Sequence, residues 1–389
     1  MPGLWAATKK NKIRGQLLTL QTCHGKLDIS RDMDHCWHCG KLFSSIDANF
    51  GLSGSAHRMT KGFQEILAFL GQASASFGDA REILGKLRGT DVCAAQIQKV
   101  TEEIGADVFA SDMEEAAAIS AAPEEHIPYA LDKDMADDIL YVLLDGSSVN
   151  TRVQDEGGST WKEMKLGMVF RSKDIITRKT QAESCTITKK EYVAYFGEVG
   201  KFKELLLAAA VRAGYGLVKN IVVIADGAHW IWNLCDEYFP DAIRILDFYH
   251  MAENVYDYAG ALYPGNDKAK AQWADEVIEN IKAGRFQEAV GIVCRSPLDE
   301  AAAKKTVNLS GYLENNRERV CYDQFSAQGY YIGSGMIEGG NKVVIQKRMK
   351  QCGMRWSVAG GQFVAALRAK RQSGKWDAVL RSIFDTKAA

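Results

Sequence analysis

Three carboxylates and one basic block carry the chemistry this sequence offers. Asp145 ends the apolar run ILYVLLD, Asp226 ends NIVVIAD, and Glu338 follows the glycine-rich turn in GSGMIE. Carboxylate oxygens are hard donors. Mg²⁺ and Mn²⁺ take only a few protein oxygens of this kind and fill the rest of their shell with water and substrate phosphate. Two such ions ~3.5–4 Å apart activate an attacking water or 3′-hydroxyl and stabilise the leaving oxygen. Acids converging from separate elements hold such a pair. The plainer alternative is open at each position, because Asp followed by Gly after a strand is a common turn signal. Taken singly, each Asp reads as a turn; taken as a pair at corresponding strand ends, they favour metal.

Glu338 also heads a segment rich in cations. Lys342, Lys347, Arg348, Lys350 and Arg355 follow it, and no further acid occurs as far as Lys375. The 389-residue chain as a whole has a formal charge of only -1, and an acidic stretch from Glu102 to Asp138 offsets the basic one. Such asymmetry predicts a local polyanion-binding face rather than a generally basic protein. The alternative is a solvated amphipathic helix with Trp356 in the core. Nine cysteines, odd in number and mostly scattered, fit a reducing compartment and no disulfide framework. The N-terminal MPGLWAATKKNKIRG lacks the apolar centre of a secretory leader, and no apolar run approaches ~20 residues, so a cytoplasmic protein without a membrane span is expected.

The elements that must position these acids follow from periodicity. Residues 16–48 alternate in short bursts and predict small strands around a turn at Cys36–Cys39. Within 60–108, FQEILAFLGQ, FGDAREILGKLRG and AAQIQKVTEEIG predict three helices. Residues 112–137, acidic, Ala-rich and broken by two prolines, predict a linker. From 139 the order is strand (139–152), strand (161–170), strand (roughly 179–190), helix (196–215), strand ending at Asp226, then strand ending near Asp247. Residues 251–330 are mostly helical, and a helix runs from Glu338 to about Lys350. This predicts an α/β protein with an RNase H-like core, a mixed sheet flanked by helices. There the first and fourth strands are neighbours and a late helix brings in the third acid. The expected domains are a small β segment (1–58), a helical unit (59–111), the linker (112–137) and a catalytic domain (138–389) with a helical insertion (251–330).

The sequence resembles the DDE transposases of bacterial insertion sequences, of the ISKra type within the Mutator-like group. The resemblance rests on LDGSSV around Asp145, WKEMKLGMVF, IADGAHWIWN around Asp226, LDFYH, and the ordered block GSGMIE–RMKQ–GMRWS, and it covers roughly residues 16–372. It implies that Asp145, Asp226 and Glu338 form a metal-binding triad carrying two Mg²⁺ or Mn²⁺ ions. It also implies that DNA is cut and rejoined there, and that residues 251–330 are an insertion. DFYH matches an Asp-x-x-His element near such sites, making Asp247 and His250 second-tier candidates. The other reading is an Asp at a strand end and a His capping or packing the next helix. On this resemblance Lys342, Lys347, Arg348, Lys350 and Arg355 lie along a DNA backbone, and Trp356 stacks on an unpaired base.

Cys36-x-x-Cys39 is half of a tetrahedral zinc site. Cys23, His24, His35 and His38 are near in sequence, but His35 and His38 flank the cysteines too closely for easy joint ligation. The resembled proteins often carry a further CxxC upstream and none precedes Cys23 here, so three readings stay open: Zn²⁺ bound at Cys36 and Cys39, a truncated N-terminus, or a lost zinc site. The helices of 60–108 read equally as a helix-turn-helix, with Gln96, Gln98 and Lys99 on a recognition helix, or as a plain packing unit. The reading that follows is a transposase acting on double-stranded DNA, as element ends and target, working as a dimer or larger assembly on the nucleoid. The alternatives are a catalytically silent, transposase-derived DNA-binding protein and a stand-alone RNase H-fold nuclease.

Overall fold

The computed structural model describes residues 11–36, 38–49, 52, 58–127, 137–178 and 184–385. Parts of two expectations, residues 128–136 of the linker and 179–183 of the third strand, lie outside them. The chain divides into two compact units. The first comprises Met1–Ser111, Lys347–Arg371 and Lys375–Ala389, and the second Asp112–Gln346 and Gln372–Gly374.

In the first unit, β1 (Asn11–Thr22) and β2 (Gly25–His35) form an antiparallel hairpin, and β2 also pairs with the short β3 (Leu42–Phe43). A short helix α1 (Ser45–Asn49) precedes α2 (Lys61–Ala73) and α3 (Phe77–Arg88). The Ser76 hydroxyl accepts the Asp79 N–H at 3.0 Å to start α3, and Gly89, at φ 62°, ends it in the left-handed conformation that costs glycine least. Helix α4 runs unbroken for 28 residues, Ala94–Ala121. The expected linker is therefore helical through its first third.

The second unit is built on a five-stranded mixed sheet. Its strands are β4 (Ile139–Asn150), β5 (Trp161–Arg171), β8 (Glu191–Tyr195), β9 (Asn220–Ala225) and β10 (Ile243–Leu246), in the order β10-β9-β4-β5-β8. Between β5 and β8 the chain makes a separate two-stranded hairpin, β6 (Ile175–Arg178) and β7 (Ser184–Ile187). β4 pairs antiparallel with β5 and parallel with β9, and β9 is parallel to β10. Leu140–Leu144 are buried on both faces of the sheet, which explains their unbroken apolar run. β4 ends at Asn150, close to the expected 139–152, so Asp145 ends the apolar run but lies within the strand, held by β5. The third strand of the sheet is β8; of the expected 179–190, residues 184–187 form β7 of the separate hairpin instead, and β8 opens on the buried Glu191, paired with Arg212, which also meets Glu115 at 3.0 Å.

Helices flank this sheet. α5 (Val199–Ala213) joins β8 to β9, and α6 (His229–Tyr238) joins β9 to β10. The expected helical block follows as α7 (Phe248–Leu262), α8 (Asp267–Lys282), α9 (Phe286–Arg295), α10 (Glu300–Ala303), α11 (Leu309–Asn315) and α12 (Tyr322–Ala327). α13 (Gly335–Asn341) then packs on β4 and β5 and passes into a π-helical turn, Lys342–Gln346. The chain re-enters the first unit with α14 (Lys347–Met349), α15 (Val358–Gln372) and α16 (Trp376–Phe384). Leu367, Val379 and Ile383 complete the core formed by Phe63, Leu67, Leu84, Ile97 and Val100. Residues 347–371 and 375–389 thus belong with the N-terminal unit, whereas the sequence reading had placed them in the catalytic domain. Among the described residues no helix is long and apolar enough to cross a membrane.

Candidate active site

Sheet register places three aspartates in one row. The β4–β9 pairing runs from Ile139 opposite Asn220 to Leu143 opposite Ile224, so two residues further along each strand come Asp145 and Asp226. The β9–β10 pairing ends with Ala225 opposite Leu246, and the next residues are Asp226 and Asp247. The Asp247 N–H donates to the Ala225 carbonyl at 2.8 Å, carrying the parallel pattern one step beyond the named strands. With neighbouring strands ~4.8 Å apart, the row spans β4, β9 and β10. Gly227 follows Asp226 at φ 94°, and a Cβ there would lie 2.9 Å from a Leu246 methyl, so the turn out of β9 requires glycine.

Asp145 is half-buried. One carboxylate oxygen accepts the Gly146 N–H at 2.7 Å, and the other accepts Asn341 Nδ2 at 2.5 Å. Burial pushes its carboxyl above the ordinary carboxylate range. The hydrogen bonds from Asn341 and Gly146 pull it down, nearby Asp226 pushes it up, and His250 pulls it down; burial prevails. Asp226 accepts the Ala228 N–H at 3.0 Å, which tightens the turn into α6.

Asp247 has a different role from the other two. It is fully buried and caps α7, accepting the N–H of Tyr249 at 3.2 Å and of His250 at 3.4 Å. It also accepts the Ser334 N–H at 2.8 Å and the Ser334 hydroxyl at 2.5 Å. The Ser334 oxygen lies in turn 3.3 Å from Glu338 Oε1. Asp247 is therefore a buried clamp between the end of β10 and the start of α13, linked to Glu338 through the Ser334 hydroxyl. His250 is half-exposed; its Nε2 lies 3.8 Å from Asp247 and its Nδ1 3.5 Å from Glu253.

Glu338 and Asn341 stand three residues apart on α13 and so share one side of it. That side carries Ser334 to Asp247 and Asn341 to Asp145. Asn341 is buried, and its Oδ1 makes no hydrogen bond among the described residues. The donors available here are carboxylates and an amide oxygen, the hard set that suits Mg²⁺ or Mn²⁺. The orphan Asn341 oxygen beside Asp145 fits that use. The side chains are not gathered, however: among the described residues no three His, Cys, Asp or Glu side chains converge in a metal-holding group.

The same holds for Cys36 and Cys39. Backbone N–H groups of Cys39 and His38 turned toward the Cys36 sulfur hold its thiol below the ordinary value. The turn closes with Cys36 N–H to Lys41 and Gly40 N–H to Cys36. The described residues supply this pair with no completed tetrahedron.

The basic block separates into exposed and buried members. Lys342, Lys347, Lys350 and Arg355 are exposed. Arg348 and Trp356, expected to contact DNA, are buried at 0% and 4% exposure in the first unit. The Arg348 guanidinium lies against an edge-to-face pair of rings, Phe77 and Trp356, 4.4 and 4.9 Å from its carbon. It donates to the carbonyls of Gly71 at 3.0 Å and Ala75 at 3.2 Å, around the end of α2. The Trp356 Nε1–H donates to the Met349 carbonyl at 3.3 Å. Both side chains are consumed by packing and cannot reach a phosphate or a base. On α4, Gln98 donates to Glu102 at 2.7 Å and Lys99 lies 3.9 Å from Glu103, one helical turn on in each case.

Three site residues escaped the sequence reading. Asn341 had a usable signal, the i,i+3 spacing from Glu338. Ser334 had a weaker one in the GSG turn. Tyr312, on α11, had none. Its hydroxyl would lie 3.7 Å from a Cβ on Gly227. Burial, with the charges of Asp226 and Asp247 adding to it, pushes that hydroxyl up to about 12, and it has no hydrogen-bond partner among the described residues. No protein-family model matches the chain, and no curated protein matches it.

Proposed function

We propose that this chain is a DNA-processing enzyme of the DDE transposase type, with Asp145, Asp226 and Glu338 as its acidic triad. The observation that supports it best is the register. Asp145 and Asp226 stand side by side on adjacent parallel strands, and the helix bearing Glu338 is tied to Asp145 through Asn341. The strand order β10-β9-β4-β5-β8 is compatible with an RNase H-like core, in which the first and fourth strands adjoin. Mg²⁺ or Mn²⁺ would be held by the three acids, with Asn341 as a further oxygen donor, and would supply Lewis-acid activation of water and phosphate. The protein's own part is positional. Asn341 orients Asp145, the Asp247–Ser334 clamp sets Glu338, and Lys342, exposed just beyond Asn341, neutralises phosphate. The DNA would be duplex, as element ends and target, handled by at least a dimer. The catalytically silent DNA-binding reading keeps one supporting observation: the carboxylates are not gathered for metal.

The deciding experiment is a cleavage assay on labelled end-containing and nicked duplexes with Mn²⁺, run beside Mn²⁺ binding by electron paramagnetic resonance. Asp145→Asn and Asp226→Asn should each abolish cleavage and weaken Mn²⁺ binding while duplex binding is retained. Cleavage and strand joining together support the transposase; cleavage alone supports a nuclease. Duplex binding without cleavage, and Mn²⁺ binding indifferent to both substitutions, would establish the silent protein.

A further inference from the structure

On the side of α13 away from the acids lies a cavity of about 770 Å³, wholly within the second unit. That volume suits a small ligand rather than a duplex. Among the described residues its charged members are Lys190 and Lys282, and no acid lines it. Lys190 Nζ donates to the Ile187 carbonyl at 3.2 Å, which leaves its other protons for a ligand, and Lys282 is exposed. Tyr249 and Tyr331 contribute aromatic surface, and Tyr249 is 60% exposed, unusual for so large a ring. The Tyr249 ring is seated on bare backbone, since a Cβ on Gly333 would fall 2.7 Å from its Cε2. The helix wall is bare as well. Gly335 and Gly339, one turn apart on α13, both line the cavity, and a Cβ at either would meet nothing within 4 Å. A flat group can approach the α13 backbone there with an exposed tyrosine nearby and ammonium groups within the same cavity.

We propose that this cavity binds a single nucleotide, its base against Tyr249 and the Gly335–Gly339 wall and its phosphate toward Lys190 and Lys282. The chemistry required is one π-face and one phosphate, which every nucleotide offers. Two sources share that chemistry: an unpaired nucleotide within a DNA strand, and a free nucleoside monophosphate. The first source rests on the DNA-processing reading above; the second does not.

The test uses the full-length chain and two fluorescent probes. One is a duplex with a single unpaired 2-aminopurine, and the other is 2-aminopurine riboside monophosphate. Binding should quench the base. Gly339→Leu, which fills open space without strain, and Tyr249→Ala should each weaken quenching binding about tenfold or more, with circular dichroism and melting unchanged. Lys282→Ala should weaken it less and flatten its salt dependence. Equal competition by the free monophosphate identifies a free nucleotide as the ligand; binding only of the tethered base identifies the strand. Unchanged affinity for both probes in Gly339→Leu and Tyr249→Ala, or no quenching of either, overturns the proposal. Asp145→Asn separates the two readings. It should leave quenching intact, so a chain that binds nucleotide but never cuts DNA keeps the cavity and loses the catalytic triad. A chain that cuts but shows no quenching does the reverse.

Discussion

Replacing Arg348 with alanine should cost the first unit about 4 kcal/mol and should not act as the loss of a phosphate contact. The guanidinium donates two hydrogen bonds to carbonyls of Gly71 and Ala75, each worth about 1.5–3 kcal/mol for a charged donor. Its contacts with Phe77 and Trp356 add about 1–2 kcal/mol each in a desolvated site. Against this stands burial, which lowers the guanidinium from its ordinary value to about 10. At ~1.4 kcal/mol per tenfold change in proton affinity, that shift costs about 3 kcal/mol. The group is charged in both folded and unfolded chains at neutral pH, so the cost is carried in full at pH 7. The balance, about 2–7 kcal/mol, brackets the ~3–5 kcal/mol typical of removing one partner from a buried charged network. Urea denaturation followed by tryptophan fluorescence reads it as an early shift of the first unit's transition. Arg348→Lys should recover little, because the planar fork is what spans two carbonyls and two rings. If Arg348→Ala keeps wild-type stability while the salt dependence of DNA binding falls by about 0.9 in the log–log slope, one phosphate's worth, the packing assignment is wrong.

Asp145→Asn should raise the melting temperature of the metal-free protein at neutral pH. Burial raises the Asp145 carboxyl in the folded state, so its contribution is fully present below the unfolded value and lost as pH rises through the folded one. The gain in the variant should therefore shrink on acidification, and melting curves from pH 4 to 8 check this; a gain that grows toward acid would contradict the sign. Ser334→Ala should cost about 1–3 kcal/mol by leaving buried Asp247 short of a donor, and it should lower kcat of any metal-dependent cleavage more than duplex affinity. Equal losses in both would show that the clamp does not set Glu338.

Much of the second unit was legible because its strands are buried on both faces and read as unbroken apolar runs, as at ILYVLL and NIVVIA. The acids at their ends were legible for the same reason: a charge that interrupts such a run stands out. What failed was what only tertiary contact decides. Nothing local distinguishes β8, which joins the five-stranded sheet, from β7 just before it, which pairs only with β6. Arg348 looks like a surface cation until Phe77 and the end of α2 enclose it. Lys347–Arg371 group with the first unit in the same way, an arrangement no local periodicity reveals. Asn341 was within reach of a helical wheel, but an amide among glycines carries no charge to draw the eye.

The clamp at the start of α13 has a consequence for chain length. Phe248 N–H donates to the Ile332 carbonyl at 2.9 Å, and Asp247 holds Ser334 beside it. The helical segment α7–α12 therefore leaves and rejoins the sheet through a single zipped neck. Loop-closure entropy grows only slowly with loop size, and the neck fixes where the chain returns whatever lies beyond it. The neck keeps Glu338 at its address, while Tyr312 beside Gly227 and the Tyr322 hydroxyl, which donates to the Leu246 carbonyl at 3.0 Å, tie α11 and α12 back to the strand ends, so the freedom to change length and sequence falls on the outer helices α9 and α10.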